Sequence, residues 1–263
     1  MEKHWTEKLF VDKASIYRPT LEEFEERATP EVEGLMNIFS ELGVPEGSLI
    51  LDLACGIGCH SVLLAEKGFR VVGVDLSPMF IARAEEIAEE RGVTGRVEFR
   101  VGDMRRIGEV LRGQEGRFGV IVSLFTSLGY YDEETNKWIL DQLHVLAACG
   151  GILVIDIVNR DWLVRNFQDR DFFQRPDGRC QIMERRLDLE TSRMRNVWSW
   201  YQRAGEDLEH LETVELDHRV YSLHELKGLV EGCGWNYLAC HGGFDSEPFT
   251  MDSKRILLIA NKT

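Results

Sequence analysis

"LILDLACGIGCHS" (Leu49–Ser61) is an apolar run that ends in an acid and then turns through two glycines, two cysteines and a histidine. The run has the length of a buried strand, and Gly56 and Gly58 permit a tight turn with close backbone approach. Three chemistries use such a turn. The glycines can cradle a dinucleotide phosphate. Cys55 and Cys59 can hold a metal or an iron–sulfur cluster. The bare backbone can admit an uncharged part of a ligand.

The surroundings of this turn set the fold class. After it, "HSVLLAEKG" (60–68) reads as a helix stopped by Gly68, and "RVVGVDLS" (70–77) as a second buried strand. "SPMFIARAEEIAEERG" (77–92) is a helix with Ser77 as N-cap and Pro78 at its first position. "VEFRVGDM" (97–104) and "FGVIVSLF" (118–125) are strands three and four. "DEETNKWILDQLHVLAACGG" (132–151) is a helix ending at Gly150-Gly151, and "GILVIDIV" (151–158) a fifth strand. Continuous apolar strands alternating with amphipathic helices predict a doubly wound, mostly parallel α/β sheet. Before it, residues 1–46 read as a helical cap, with Leu21, Phe24, Val32, Leu35, Ile38, Phe39 and Leu42 at helix-like spacing.

The rhythm breaks near Asn159. Residues 159–220 hold "CQIMERRLDLE", "RMRNVWSWYQ" and "EHLETVELDHRVYS", which alternate apolar and charged residues as half-exposed antiparallel strands do. They predict an inserted antiparallel β unit. The core then resumes: "SLHELKGLVEGCGW" (222–235) is a helix capped by Ser222 and Glu225, and "NYLACHGGF" and "RILLIANK" are two last strands, expected as an antiparallel pair at the sheet edge. The expected division is therefore 1–158 with 221–263 as the core, and 159–220 as an insertion.

Bulk properties narrow the partners. The chain has 263 residues, of which 44% are apolar, enough for a real core. With 31 Lys plus Arg against 45 Asp plus Glu, the net charge is −14, which repels a phosphate backbone and argues against nucleic acid. "MEKHWTEKLF" lacks the apolar core of a signal peptide, and no run approaches 18 apolar residues, so no membrane span is expected. Six cysteines in such a chain read as reduced, mostly buried thiols of a cytoplasmic protein.

In a doubly wound sheet, ligands bind at the carboxyl ends of the strands. Gly56, Gly58 and Asp75, the acid that ends the second strand, together suit an adenosine-type ligand, because a carboxylate there can accept both ribose hydroxyls. They do not choose among cofactors. Asp52 projects acidic charge into the site, which suits a cationic ligand and is awkward beside a pyrophosphate. Gly102-Asp103-Met104 ends the third strand: its carboxylate can accept from an adenine amine and Met104 can pack on the ring, while Asp103 can equally serve as a helix N-cap.

"ILDLACGIGCHS", "VVGVDLS", "VEFRVGDM" and "FGVIVSLFTSLGY" resemble, in order and spacing, the successive motifs of class I S-adenosylmethionine-dependent methyltransferases. The resemblance covers 48–158 and 222–260, and is nearest to small-molecule members with a β insertion after the fifth strand. It implies a seven-stranded Rossmann-like sheet with one antiparallel strand. It also implies the cofactor S-adenosylmethionine (SAM), with S-adenosylhomocysteine (SAH) as product, and no metal. By the resemblance, Asp52, Ala54, Gly56 and Gly58 form the first motif and hold the methionine part. Asp75 holds the ribose, and Leu76 and Met79 flank the adenosine. Asp103, between Gly102 and Met104, holds the adenine amine. Ser123, Leu124 and Phe125 would face the sulfonium. Ala54 stands where the family has glycine, a change tolerated unless φ there is positive. A radical-SAM cluster would need a third cysteine at position 62, which is Val62, and no second pair is placed for zinc.

Methyl transfer is an in-line displacement in which a general base is optional. Candidate bases are Tyr130, Tyr131 and His218, with Asp156, Asn159 and His224 behind them; each histidine also has an ordinary structural reading. Tyr17 is placed to close over the methionine moiety. The insertion is expected to roof the acceptor, with Phe172, Phe173, Trp198, Trp200 and Tyr201 lining an apolar pocket. Trp198 and Trp200 share a strand face, which suits equally the insertion's own small core or a homodimer contact. Residues 160–203 hold ten arginines against seven acids, a hint of an anionic acceptor that solvated ion pairs explain as well. Two other functions stay open: a nicotinamide-dependent oxidoreductase, which would also use the glycine turn and Asp75, and a non-catalytic SAM- or SAH-binding module.

Overall fold

The computed structural model describes residues 3–175 and 177–263. The chain enters through α1 (Trp5–Glu7), a π-helical turn (Lys8–Asp12), α2 (Ala14–Glu23) and α3 (Glu25–Glu41). Then come β1 (Leu49–Leu53), α4 (Cys59–Glu66), β2 (Arg70–Asp75), α5 (Pro78–Glu90), β3 (Val97–Val101), a 3-10 turn (Met104–Arg106), α6 (Ile107–Val110), β4 (Phe118–Ser123), α7 (Glu133–Leu146) and β5 (Ala147–Val158). After α8 (Arg160–Arg165) follow β6 (Arg170–Gln174), β7 (Arg179–Asp188), β8 (Arg193–Ala204) and β9 (Asp207–Arg219). The chain closes with α9 (Leu223–Glu231), β10 (Trp235–His241) and β11 (Arg255–Lys262).

The main sheet has seven strands in the order β10-β11-β5-β4-β1-β2-β3. β1 to β5 pair in parallel, and β11 lies antiparallel between β5 and β10. Successive residues of one strand feed opposite cores. Ile50, Val120 and Val122 pack with Leu35, Phe39, Leu64 and Ile87 of α3, α4 and α5. Leu51 and Ile121 pack with Ile139, Leu143, Leu226 and Val230 of α7 and α9. Burial on both faces is why these strands read as unbroken apolar runs.

The Gly150-Gly151 pair does not end a helix. α7 stops at Leu146, and the glycines lie in β5 where its register against β4 jumps: Phe118 pairs with Ala147, but Val120 pairs with Ile152. Gly150 has φ +74°, and a Cβ on Gly151 would stand 2.8 Å from the Ala148 carbonyl oxygen and 2.9 Å from that of Phe118. The bulge needs glycine there. The last carbonyls of α7 are met instead by Lys262 Nζ, which donates to His144 O and Ala147 O at 2.7 and 2.9 Å.

β6 to β9 form a separate four-stranded antiparallel sheet in sequence order. Its two ends meet: Asn159 bridges Tyr221, and Arg160 N donates to Tyr221 O at 3.0 Å. α8 and β6 add to the elements expected. Trp200 is fully buried, but neither in a core private to this sheet nor at a surface. It packs with Trp5, Leu9, Val214 and Leu216, joining the N-terminal segment to β8 and β9. Trp5 Nε1 fastens this contact by donating to Asp217 O at 2.9 Å.

Candidate active site

The first turn is built on backbone conformation. Ala54 N and Cys55 N donate to Val74 O, tying the turn to β2, and Gly58 (φ +79°) begins α4. A Cβ on Gly58 would come within 2.7 Å of Phe99 and 2.8 Å of Ala84, so no larger residue fits. The condition under which Ala54 could replace the family's glycine without cost is not met. The φ of Ala54 is +61°, in the left-handed region, where a Cβ costs about 1–2 kcal/mol.

Asp75 is 8% exposed, and both its oxygens accept backbone N–H groups: Gly56 N at 2.9 Å and Ser77 N at 2.8 Å. Burial outweighs these bonds and pushes its pKa up from 3.8 to about 6. Asp52 is buried beneath the turn and accepts from Ser61 Oγ at 2.6 Å; burial raises its pKa too, against the pull of His60 and Ser61. His60 in turn meets Glu31 at 2.9 Å and the Phe125 ring. Asp103 caps the 3-10 turn by accepting from Arg105 N, and its other oxygen pairs with the Arg105 guanidinium.

The fourth strand ends in two more left-handed residues, Phe125 (φ 57°) and Thr126 (φ 62°). Asp156 holds them: its carboxylate accepts from Phe125 N at 3.0 Å and from Arg255, and its carbonyl from Thr126 N. Ser123 Oγ lies 3.0 Å from Ser127 Oγ, below the surface.

These loops surround a cavity of about 190 Å³. Of the residues expected at the cofactor, Tyr17, Ala54, Gly56, Asp75, Leu76, Gly102, Met104, Leu124 and Phe125 line it, with Tyr130 and Tyr131. Asp52 lines a smaller hollow of about 70 Å³ that shares Leu21, Phe24, Ala54, Gly56, Leu124 and Phe125 with the first. Gly58, Met79, Asp103 and Ser123 do not line the main cavity; Met79 is 40% exposed. Thr6, Phe10, Leu21 and Phe24, none of them named as a site residue from the sequence, close it from the N-terminal segment, and Phe80 and Ser127 also line it. The signal was present: Phe10, Tyr17, Leu21 and Phe24 are spaced by seven, four and three, one face of a helix.

A second cavity, of about 610 Å³, abuts the first across Phe10, Tyr17, Phe125 and Tyr130. Its far wall is the insertion sheet, with Asn196, Trp198 and His218, and Trp162 of α8. Trp198 stacks on Tyr17 with ring centroids 6.0 Å apart. Phe172 and Phe173 are exposed on β6, and Tyr201 packs against His210; none of the three lines this cavity.

The candidate bases separate. Burial raises Tyr130 well above the ordinary phenol range and lowers His218 to about 4, so at neutral pH both are uncharged. Tyr131 is raised to about 12 by burial and meets Thr6 Oγ1 at 3.3 Å. Asp156 and Asn159 are structural, Asn159 capping α8, and His224 is exposed on α9. Eight of the ten arginines in 160–203 have a carboxylate within 4 Å, which accounts for most of that charge excess. Of the six cysteines, only Cys180 and Cys233 are fully buried, and Cys149 is exposed. Among the described residues no group of three His, Cys, Asp or Glu side chains is arranged for a metal, and no helix is long and apolar enough to cross a membrane.

Residues 50–151 match the family model described as a methyltransferase domain. These residues resemble a methyltransferase domain, and the sheet around them has the fold of S-adenosylmethionine-dependent methyltransferases. A Bacillus subtilis protein provisionally named a methyltransferase, YqeM, is 27% identical over 226 residues, 85% of this chain and 87% of that one. The fold agrees with an S-adenosylmethionine-dependent methyltransferase from Clostridium acetobutylicum at a TM-score of 0.76 and 19% identity, over 95% of this chain and 98% of the other. It agrees with the sugar N-methyltransferase KedS8 from Streptoalloteichus at 0.66 and 20%, over 89% and 87%. The seven-stranded methyltransferase sheet, with its antiparallel β11, is the arrangement expected from sequence.

Proposed function

We propose that this methyltransferase moves a methyl group from SAM to a small-molecule acceptor held in the second cavity. One observation carries the reading: the cavity at the strand ends abuts a larger chamber, with Phe10, Tyr17, Phe125 and Tyr130 lining both. That is the arrangement an in-line displacement between two bound molecules requires. The residues fit the cofactor. Asp75 has lone pairs beyond the two used by Gly56 and Ser77, enough to accept ribose hydroxyls. Leu76, Phe80 and Met104 offer apolar sides to a base. The Ala54–Gly56 backbone and the acidic Asp52 beneath it suit the methionine part and its cationic groups.

When bound, SAM supplies a methyl carbon already activated by a sulfonium leaving group. The chain's task is to align, to dry the site and to deal with a proton. The aromatic wall excludes water. His218 is a weak base and Tyr130 stays protonated in their buried settings, so the site suits an acceptor that arrives neutral or with a low pKa. α2 and the insertion sheet together form the roof, joined by the Tyr17–Trp198 stack and by Arg175, whose Nη2 donates to Thr20 and whose Nε donates to Glu23.

Calorimetric titration with SAM, SAH and NAD tests the reading. One equivalent of SAH should bind and NAD should not; tight NAD binding without SAH binding would sink it. Donor consumption against a panel of small amines, phenols and carboxylates then distinguishes an enzyme from a non-catalytic SAM-binding module.

A further inference from the structure

The acceptor wall carries donors with nothing to donate to. In the insertion sheet, Arg185, Asn196 and Leu216 lie directly opposite one another, and Met183, Trp198 and Val214 form the next row on the same face. Asn196 is 2% exposed, and its Nδ2 is buried without a hydrogen-bond partner among the described residues. Trp198 Nε1, a group that can only donate, is in the same state. Both side chains line the second cavity. Buried donors left unpaired are costly, so a wall that keeps two of them is built for a ligand that accepts.

Charge narrows the ligand. Arg185 and Lys254 line this cavity, with Asp171 as its only acid among the described residues. Asp171 is 3.2 Å from Arg185. Lys254, at the rim, lies over the Trp162 ring at 5.3 Å and has no carboxylate within 4 Å among the described residues. His218 is neutral at pH 7. One cation is therefore uncompensated in the same cavity as the two unpaired N–H donors. We infer that the methyl acceptor carries a carboxylate, held by the Asn196 and Trp198 N–H groups with Lys254 as counter-charge. This rests on the methyl-transfer reading and names the substrate class for it.

The test uses the full chain saturated with SAH and matched probes: 3-aminopropanoate, 4-aminobenzoate and 3-hydroxybenzoate, each against its primary carboxamide. Binding is followed by quenching of tryptophan fluorescence, since Trp5, Trp162 and Trp198 line the chamber. At least one carboxylate should bind roughly tenfold or more tighter than its carboxamide. That preference should shrink in Asn196→Leu and, with no buried group disturbed, in Lys254→Met, while SAH affinity stays unchanged in both. Equal binding within every pair, or no carboxylate binding at all, overturns the inference and leaves methyl transfer standing. Failure of SAH itself to bind overturns the methyl-transfer reading and this inference together.

Discussion

Asp75 should contribute little to the stability of the free protein near pH 7.5 and more at lower pH. Its carboxyl is raised from 3.8 to about 6 by burial. A carboxyl more basic in the folded state binds its proton more tightly there, so its stabilising contribution is complete below pH 3.8. It is lost as pH rises through about 6. The loss amounts to about 3 kcal/mol, of which about 2 kcal/mol falls between pH 4.5 and 7.5. Asp75→Asn removes this dependence. It also leaves one of the two backbone donors, Gly56 N or Ser77 N, facing an amide NH2 group, at a cost of about 1–3 kcal/mol. The two effects nearly cancel near pH 7.5, and the variant is the weaker protein at pH 4.5. The assay is urea unfolding of both proteins at pH 4.5, 6.0 and 7.5, taking the difference at each pH. That difference should move by about 2 kcal/mol in favour of Asp75→Asn as pH rises. SAH affinity should meanwhile fall at least tenfold at pH 7.5, because a charged acceptor for the ribose is gone. A stability difference independent of pH, or undiminished SAH binding, would refute the reasoning.

Ala54→Gly relieves the left-handed strain at φ +61° but frees the unfolded chain, so its net gain should be about 1 kcal/mol or less, read as a small rise in the urea midpoint. Arg255→Leu leaves the Asp156 carboxylate, 2% exposed, with only Phe125 N among its side-chain bonds; it should cost about 3 kcal/mol and weaken SAH binding through the displaced Phe125 turn. His218→Gln should lower turnover less than tenfold and leave the pH profile between 6 and 9 unchanged, because a histidine with a pKa near 4 does not titrate there; loss of an acidic limb in that range would contradict it.

How much of this was legible in the sequence follows from where each element is buried. β1, β2, β4 and β5 lie between two helical layers, so their apolar runs identify them without knowledge of partners. β6 could not be read that way: Arg170–Gln174 is exposed throughout at a sheet edge and shows no pattern. α8 is six residues long, too short for a periodic face. Backbone conformation was equally hidden. Glycine announces a turn at positions 56 and 58, but only the coordinates show that Ala54, Phe125 and Thr126 share the left-handed geometry. The roof was expected from sequence, but not the contacts that join its parts. The stacking of Tyr17 on Trp198, like the packing of Trp5 in one cluster with Trp200, joins residues far apart in the chain, and no local rule pairs them. Of the two sequence readings of Asp103, which do not exclude each other, the cap is seen, with the Arg105 guanidinium added.

The central claim is that the SAM product occupies the cavity at the carboxyl ends of β1 to β4, beneath α2. Hydrogen–deuterium exchange of the full chain with and without SAH tests it directly. SAH should slow exchange in 54–58, 75–79, 102–106 and 123–127 and in α2, and leave β6 and α9 unaffected. Protection elsewhere with those loops unchanged would contradict the account.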